Sequence, residues 1–430
     1  MSLADQASLL LIPTGYKSQK VYSIFPTDGD GDFDFSRSSS ATRIAKNGLI
    51  TTVAANVPRL NYPLIDGKVV GCPSLLLEPE RTNLITYSED FSQWSTVDSS
   101  VTDNNAISPD GSLNASLLTE GVTVSNHQIN APNASITTGL TYTFSVFVKN
   151  NGVDLFSITA GAFGSLAINS TFNLVTQTST SLLGSSTIKK MGDYFLCTVT
   201  GVSTQTRNQS MLIILNKANI AYPFSYQGDG TSGIYIWGAQ LEEGSYLTSY
   251  IPTNGSSVTR SAESANDAGT SDTFNDSEGV LMAEISALVS SDGSRDIEIS
   301  DGNTNRIIIQ YNSIGTIQVY VLVNGVATYT FEYTTLITQF NKIALKYKEN
   351  DFALWVDGFE ADSSNSGSVF SSNTLTQLDF LKGVDSSLNF YGNTKQIQYY
   401  NSALTDSELE KISSWTSFTD MATSQLYTIQ

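Results

Sequence analysis

Four aspartates, Asp28, Asp30, Asp32 and Asp34, stand at every second position of the stretch "FPTDGDGDFDFSRSSSATRIAKNGLI", residues 25–50. Alternating carboxylates are the chemistry of a calcium loop, which also needs Gly at its sixth position and a closing Glu at its twelfth. Counted from Asp28, those places hold Phe33 and Ser39. The second half, "DFDFS", alternates acid with aromatic instead. That spacing favours a turn entering a strand, with Phe33 and Phe35 inward and Asp32 and Asp34 outward; a metal loop is the competing reading.

Sugar binding has a different signature: an aromatic face for the pyranose ring, with amides and carboxylates nearby for its hydroxyls. The four indoles are Trp94, Trp237, Trp355 and Trp415. Under a period of two, Trp237 shares a face with Tyr235 and Ala239. Trp355 shares one with Ala353, opposite Phe352, Leu354 and Val356. If the Phe-Leu-Val face is core, Trp355 lies on a sheet surface, open to a glycan or to another subunit. Packing in a core or a subunit contact is the alternative for each indole.

Catalytic chemistry is not expected. Paired carboxylates for glycoside cleavage have no motif among 41 acidic residues. The nearest approach to a Glu-x-Asp-x-x-Glu strand is Asp296-Ile297-Glu298, which lacks the third carboxylate. His127, the single histidine, sits in "VSNHQINAP" without a triad-like neighbourhood and reads as a turn or core-edge residue. There is no Gly-rich phosphate loop and no HExxH. Cys72 and Cys197 read as isolated thiols.

Elements of β type must position these residues. Charged residues are scarce, and short alternating runs lie between polar turns, which points to an all-β protein. A chain of 430 residues suggests two or three domains. Residues 1–84 are turn-rich, with four of the ten prolines between Pro58 and Pro79. Residues 85–252 carry strands over 140–150, 193–202, 210–218 and 232–243. In the first, Tyr142, Phe144, Val146 and Val148 share one face and Thr141, Thr143, Ser145 and Phe147 the other. Residues 253–279 are small and polar and read as a linker. One detail complicates that reading: "SSVTRSA" (256–262) echoes "SSATRIA" (39–45), as framing strands would.

Residues 280–415 read as a meander. Asn324-Gly325 suits a type I′ hairpin turn, and further turns fall at 348–351 and at Asp357-Gly358. Near the end, residues 402–415 predict the only convincing helix, with a Thr405/Glu408 capping box and a Leu404/Leu409 staple. Residues 416–430 form a tail. The expected architecture is two tandem β-sandwich (jelly-roll) domains behind an N-terminal segment.

Net charge is −19, and residues 261–430 hold 22 acidic against 8 basic residues. Such a surface repels phosphate backbones, so nucleic acid is not an expected partner. No apolar run approaches a membrane span, and no basic n-region precedes "ASLLLIP", so no signal peptide is read.

Two resemblances emerge from these phrases. "NKIALKYKENDFALWVDG" (341–358) with "YGNTKQIQYYNSALTDSELEKI" (391–412) resembles the laminin-G/pentraxin-like group of concanavalin A-like lectin domains. "FDFSRSSSATRIAKNGLI", "NVPRLNYP", "CPSLLLEPERTNLITYSEDFSQW" and "IYIWGAQLEEGSYLTSYIPTNGSSVTR" resemble a recurring bacteriophage structural module. This second resemblance implies a virion appendage, a tail or head fibre, with a carbohydrate-binding-module-like middle domain. It also implies a homotrimer, other virion proteins and host cell-surface polysaccharide as partners, and release at lysis. The position of residues 1–84, their balanced charge and their proline-rich connection suit an attachment segment and suit a small packed subdomain equally well. Lectin-type sandwiches often hold a structural Ca²⁺ near strand ends. Glu78, Glu80, Glu242 and Glu243, and in the last third Asp292, Asp296 and Asp301, are the candidate ligands; solvated surface acids are the alternative.

Overall fold

The computed structural model describes residues 3–160, 165–217, 225–383 and 387–425. The strand expected over 140–150 forms as Thr141–Asn151 and is central to one six-stranded antiparallel sheet. Tyr142, Phe144, Val146 and Val148 enter the core of the middle sandwich, while Phe147 points the other way. A second six-stranded sheet closes that core with Ile129, Phe156, Ile158, Phe172, Ile213 and Leu215. Thr141–Asn151 is buried on both faces rather than half-buried, because Ile50 and Leu64 of the N-terminal region cover the outward Phe147.

The distal sandwich pairs a five-stranded sheet with an eight-stranded one. The five-stranded sheet runs Val326–Tyr333, Ile317–Val323, Arg306–Tyr311, Arg295–Ser300 and Gln377–Asp379. Asn324 and Gly325 both have positive φ, 52° and 80°, which is the backbone of the expected type I′ turn. In the larger sheet, Glu278–Ala287 pairs with one edge of Gly392–Tyr400. The other edge of Gly392–Tyr400 is taken by Leu9–Leu11 along one half and Ser74–Leu77 along the other.

The N-terminal residues are therefore part of the distal sandwich rather than a segment set apart at 84. Leu9, Leu11, Phe33, Phe35, Leu75 and Leu77 all lie in its core, because a strand this apolar has to bury its side chains and the free edge of Gly392–Tyr400 supplies a partner. Phe33–Ser36 alternates buried and exposed, as the acid-aromatic spacing implies. Asp34 pairs with Lys20, and Asp32 accepts from the Ser23 amide at 2.9 Å.

Residues 253–279 are not a solvated linker. Val258–Arg260 pairs with Arg81–Asn83, Ser264–Asn266 pairs with Phe33–Ser36, and Phe274 enters the distal core. Their small polar side chains serve tight strand pairing, which composition alone does not separate from flexibility. The echoing phrases are not equivalent strands: Ala41–Ile44 pairs with Ile50–Val53. They do lie side by side, with Ser38 Oγ 2.7 Å from Ser261 Oγ and the Ser261 amide donating to Ser39 Oγ at 2.9 Å.

The chain thus leaves the distal sandwich at Arg81–Asn83, builds the middle one, and returns through Val258–Arg260. Buried ion pairs hold this neck. Glu263 accepts from Arg37 at 2.6 Å and from Arg59 Nε at 2.9 Å, and Glu78 pairs with Arg59 at 2.9 Å and Arg260 at 2.8 Å.

The helix forms as Asp406–Ser413 with its capping box in place, and Leu404 and Leu409 pack together in one cluster. A second helix, Phe418–Ser424, occupies part of the expected tail. Cys72 and Cys197 are both free thiols.

Candidate functional site

Three of the indoles are packed inside. Trp94 is 5 % exposed and its Nε1 donates to the Tyr87 carbonyl at 3.0 Å. Trp237 is 1 % exposed, on the outer face of the middle sandwich, where Ile50 and Leu64 of the N-terminal region cover it. Trp355 is on the sheet face opposite Phe352, Leu354 and Val356, as the alternation requires. That face is not open, because Leu409 of the helix packs in the same cluster. None of these three offers a free ring to a sugar. Trp415 is half-buried beneath Lys342, whose ammonium is 4.5 Å from its ring.

The calcium candidates do not gather into one site: Glu78 and Glu242 approach each other, but with Arg260 beside both. Burial alone would raise the Glu78 pKa, but Arg260, Arg59 and the Ser249 donors hold it down at about 2. Glu242 is buried and accepts from the Thr248 amide at 2.6 Å; burial pushes its pKa up to about 7. Glu80, Glu243 and Asp292 are exposed. Asp301 closes its own loop by accepting from the Asn303 and Asn305 amides. No group of three or more His, Cys, Asp or Glu side chains among the described residues is arranged to hold a metal ion.

Asp296 and Glu298 gain a third carboxylate that the sequence did not reveal. Asp379, on Gln377–Asp379, stands directly opposite Glu298. All six oxygens already accept hydrogen bonds. Gln310 and Arg306 serve Asp296, the Gly383 amide and Arg306 serve Glu298, and the Asp267 amide and Gln377 serve Asp379. A carboxylate so occupied is a structural knot. His127 is likewise committed, its ring nitrogens meeting the Asp98 and Tyr226 carbonyls at 2.6 and 3.1 Å.

Two open polar clefts flank residues 88–95 of the middle sandwich. The first, about 600 Å³, is lined by Glu89, Asp103, Asn104, Asn114, Ser116 and Pro252, among others. Glu89 accepts from Tyr250 Oη at 2.9 Å and Asn114 Nδ2 at 3.1 Å, and burial raises its pKa. The second, about 500 Å³, is lined by Gln93, Ser95, Gln128, Asn130, Asn133 and Ser210 with three apolar neighbours.

The second cleft is built by alternation. Ile129 of His127–Asn130 enters the core, which turns Gln128 and Asn130 outward. Gln128 Nε2 donates to Asn130 Oδ1 at 2.9 Å, and Asn130 Nδ2 donates to Ser95 Oγ at 3.3 Å. Gln128 is 9 % exposed, and its Oε1 has no partner among the described residues. An orphaned buried acceptor costs about 1–3 kcal/mol, which a ligand hydroxyl would recover. Sequence reasoning missed this row, although the alternation in "HQIN" signals it.

The turn between the clefts is fixed from below. Asp90 caps Phe91–Gln93 by accepting from the Ser92 amide, and the Phe91 and Trp94 rings lie 4.9 Å apart. Trp94 therefore seats the turn whose polar residues face both clefts.

No protein-family model matches this chain, and no curated protein matches it. Solved structures with some similarity include the CBM40 of the Ruminococcus gnavus IT-sialidase bound to α2,3-sialyllactose. It is 13 % identical, with 33 % of this chain and 84 % of that one covered at a TM-score of 0.28. Domain 4 of AbnA, a GH43 extracellular arabinanase from Geobacillus stearothermophilus, in complex with arabinotriose, is 9 % identical over 35 % of this chain and 73 % of that one, at 0.29. The NanB sialidase from Streptococcus pneumoniae is 15 % identical over 33 % of this chain and 24 % of that one, at 0.28. TM-scores of this size do not establish a shared fold.

Proposed function

We propose that this chain is a virion appendage protein of a bacteriophage that binds host cell-surface glycans through the clefts of its middle sandwich. The observation that carries the binding is the outward amide row of Gln128 and Asn130, with a buried acceptor left over. Paired donors and acceptors at fixed spacing suit the hydroxyls of a sugar, each of which both gives and takes a hydrogen bond. The phage phrases of the sequence support the virion setting, a homotrimer and contacts with other virion proteins. The mechanism is multivalent: weak glycan contacts on each copy become firm attachment when several copies are tethered to one particle. Binding without turnover is the reading favoured by the occupied oxygens of Asp296, Glu298 and Asp379.

The test uses the full chain, fluorescently labelled, on an array of bacterial surface polysaccharides, beside a Gln128→Ala/Asn130→Ala variant. Saturable binding to at least one polysaccharide, weakened roughly tenfold in the variant at unchanged melting temperature, is expected. Absence of binding across the array, or a variant that binds as well as the parent, overturns the assignment. A second reading, a purely structural virion protein, is favoured by the burial of Trp94, Trp237 and Trp355. It predicts the first of those two failures.

A further inference from the structure

A cavity of about 280 Å³ lies where three parts of the chain meet. Thr42, Arg43 and Ile50 come from the N-terminal region, Phe147, Lys189 and Leu196 from the outer face of the middle sandwich, and Leu288 and Asn393 from the distal one. Its walls are partly apolar, with Phe147 and Met191 in the same cluster as Trp237. Pockets that take organic ligands are mostly apolar with a few placed polar groups, and run upward from roughly 300 Å³. This one falls just below that range and suits a small ligand.

The charges around it are not balanced alike. At the neighbouring neck, Arg37, Arg59 and Arg260 are each paired with Glu78 or Glu263. The two cations on the cavity wall are not. Arg43 Nη1 donates to the Tyr16 hydroxyl at 3.3 Å and the guanidinium lies 5.9 Å from the Tyr16 ring, but it meets no carboxylate among the described residues, and its Nε is shielded from solvent with no acceptor among them. Lys189 has no hydrogen-bond or ion-pair partner for its ammonium among the described residues. Much of its surface is exposed, yet the protein packed around its ammonium lowers its pKa by desolvation. In a chain with 41 acidic and 22 basic residues, a carboxylate for each would have been easy to supply. The only carboxylate on the wall among the described residues, Glu78, is already taken by Arg59 and Arg260.

We infer that this cavity binds a small amphipathic anion, its carboxylate or phosphate head held by Arg43 and Lys189 and its short apolar body lying against Phe147, Met191 and Leu196. The inference is independent of the glycan clefts, which share none of these five residues. An occupant bridges the N-terminal region and the middle sandwich, and because it binds only the folded chain it raises the melting temperature with the logarithm of free ligand concentration.

Titration calorimetry on the full chain tests it with four probes: octanoate, octyl phosphate, octanol and acetate. Trp237, whose ring is 5.3 Å from that of Phe147, gives a second signal through its fluorescence. Binding of octanoate or octyl phosphate, with octanol and acetate roughly tenfold weaker or undetectable, is expected; the better of the two anions names the head group. Lys189→Met removes the cation while keeping the apolar stem, and Leu196→Trp fills the cavity. Each should weaken the anion about tenfold or more at unchanged melting temperature, whereas Gln128→Ala should leave it unaltered. Octanol binding as tightly as octanoate, no binding by either anion, or a folded Lys189→Met chain that binds like the parent would overturn the proposal.

Discussion

Glu263 is 2 % exposed and serves two guanidiniums and the Glu78 amide at once. Removing one partner from a buried ion pair leaves a charge uncompensated, at a cost of about 3–5 kcal/mol. Glu263→Gln should therefore lower the unfolding free energy extrapolated from urea titration by that much, with an unchanged slope; a loss well below it would show that water reaches the neck. Glu242, close by, works the other way. Burial raises its folded pKa to about 7, so its favourable contribution is present below its unfolded value and is lost as pH rises through 7. Glu78, held at about 2, contributes above its unfolded value and loses that only as pH falls towards 2. Stability should accordingly rise as pH falls from 8 to 5, and Glu242→Gln should flatten that part of the profile; an unchanged slope in equilibrium unfolding would refute this. Such roles were not legible in advance, because a carboxylate's chemistry depends on which distant arginine the fold brings to it.

The elements were more legible. The Thr405/Glu408 capping box and the alternating strand Thr141–Asn151 are local patterns, set by residues a few positions apart. What those elements cover is not local. Leu409 is fully buried in the cluster that closes over Trp355. Leu409→Ala should cost about 2–5 kcal/mol and make the tryptophan fluorescence more accessible to acrylamide. A variant as stable and as shielded as the parent would mean that the helix is only loosely seated. The candidate glycan row shows the same division. "HQIN" places Gln128 and Asn130 on one face, but their meeting with Ser95 depends on the pairing of two separate strands.

At the scale of the whole molecule, the middle sandwich is an insertion. Residues 85–254 enter and leave through adjacent strands, with the Ser88 amide bonded to the Thr253 carbonyl and the Gly255 amide to that of Thr86. Expressed alone they should unfold in one cooperative transition, as a domain with its own core does. Residues 280–430 alone should not. They lack Leu9–Leu11 and Ser74–Leu77, which cover one edge of Gly392–Tyr400 and bury four leucines in the distal core. A folded, monomeric 280–430 fragment would overturn this arrangement.

Sequence by itself determined the all-β class, the turns, the capped helix and the alternation that sorts inward from outward side chains, because each follows from backbone preference or periodicity within a few residues. Tertiary structure alone decided that residues 1–84 complete the distal sandwich, that the polar stretch 253–279 includes paired strands, and that three of the four indoles are covered. It also decided which acids meet arginines and which cations meet no carboxylate among the described residues. These outcomes depend on contacts between residues tens to hundreds of positions apart. A strand's open edge or exposed face accepts whichever segment the rest of the chain brings to it.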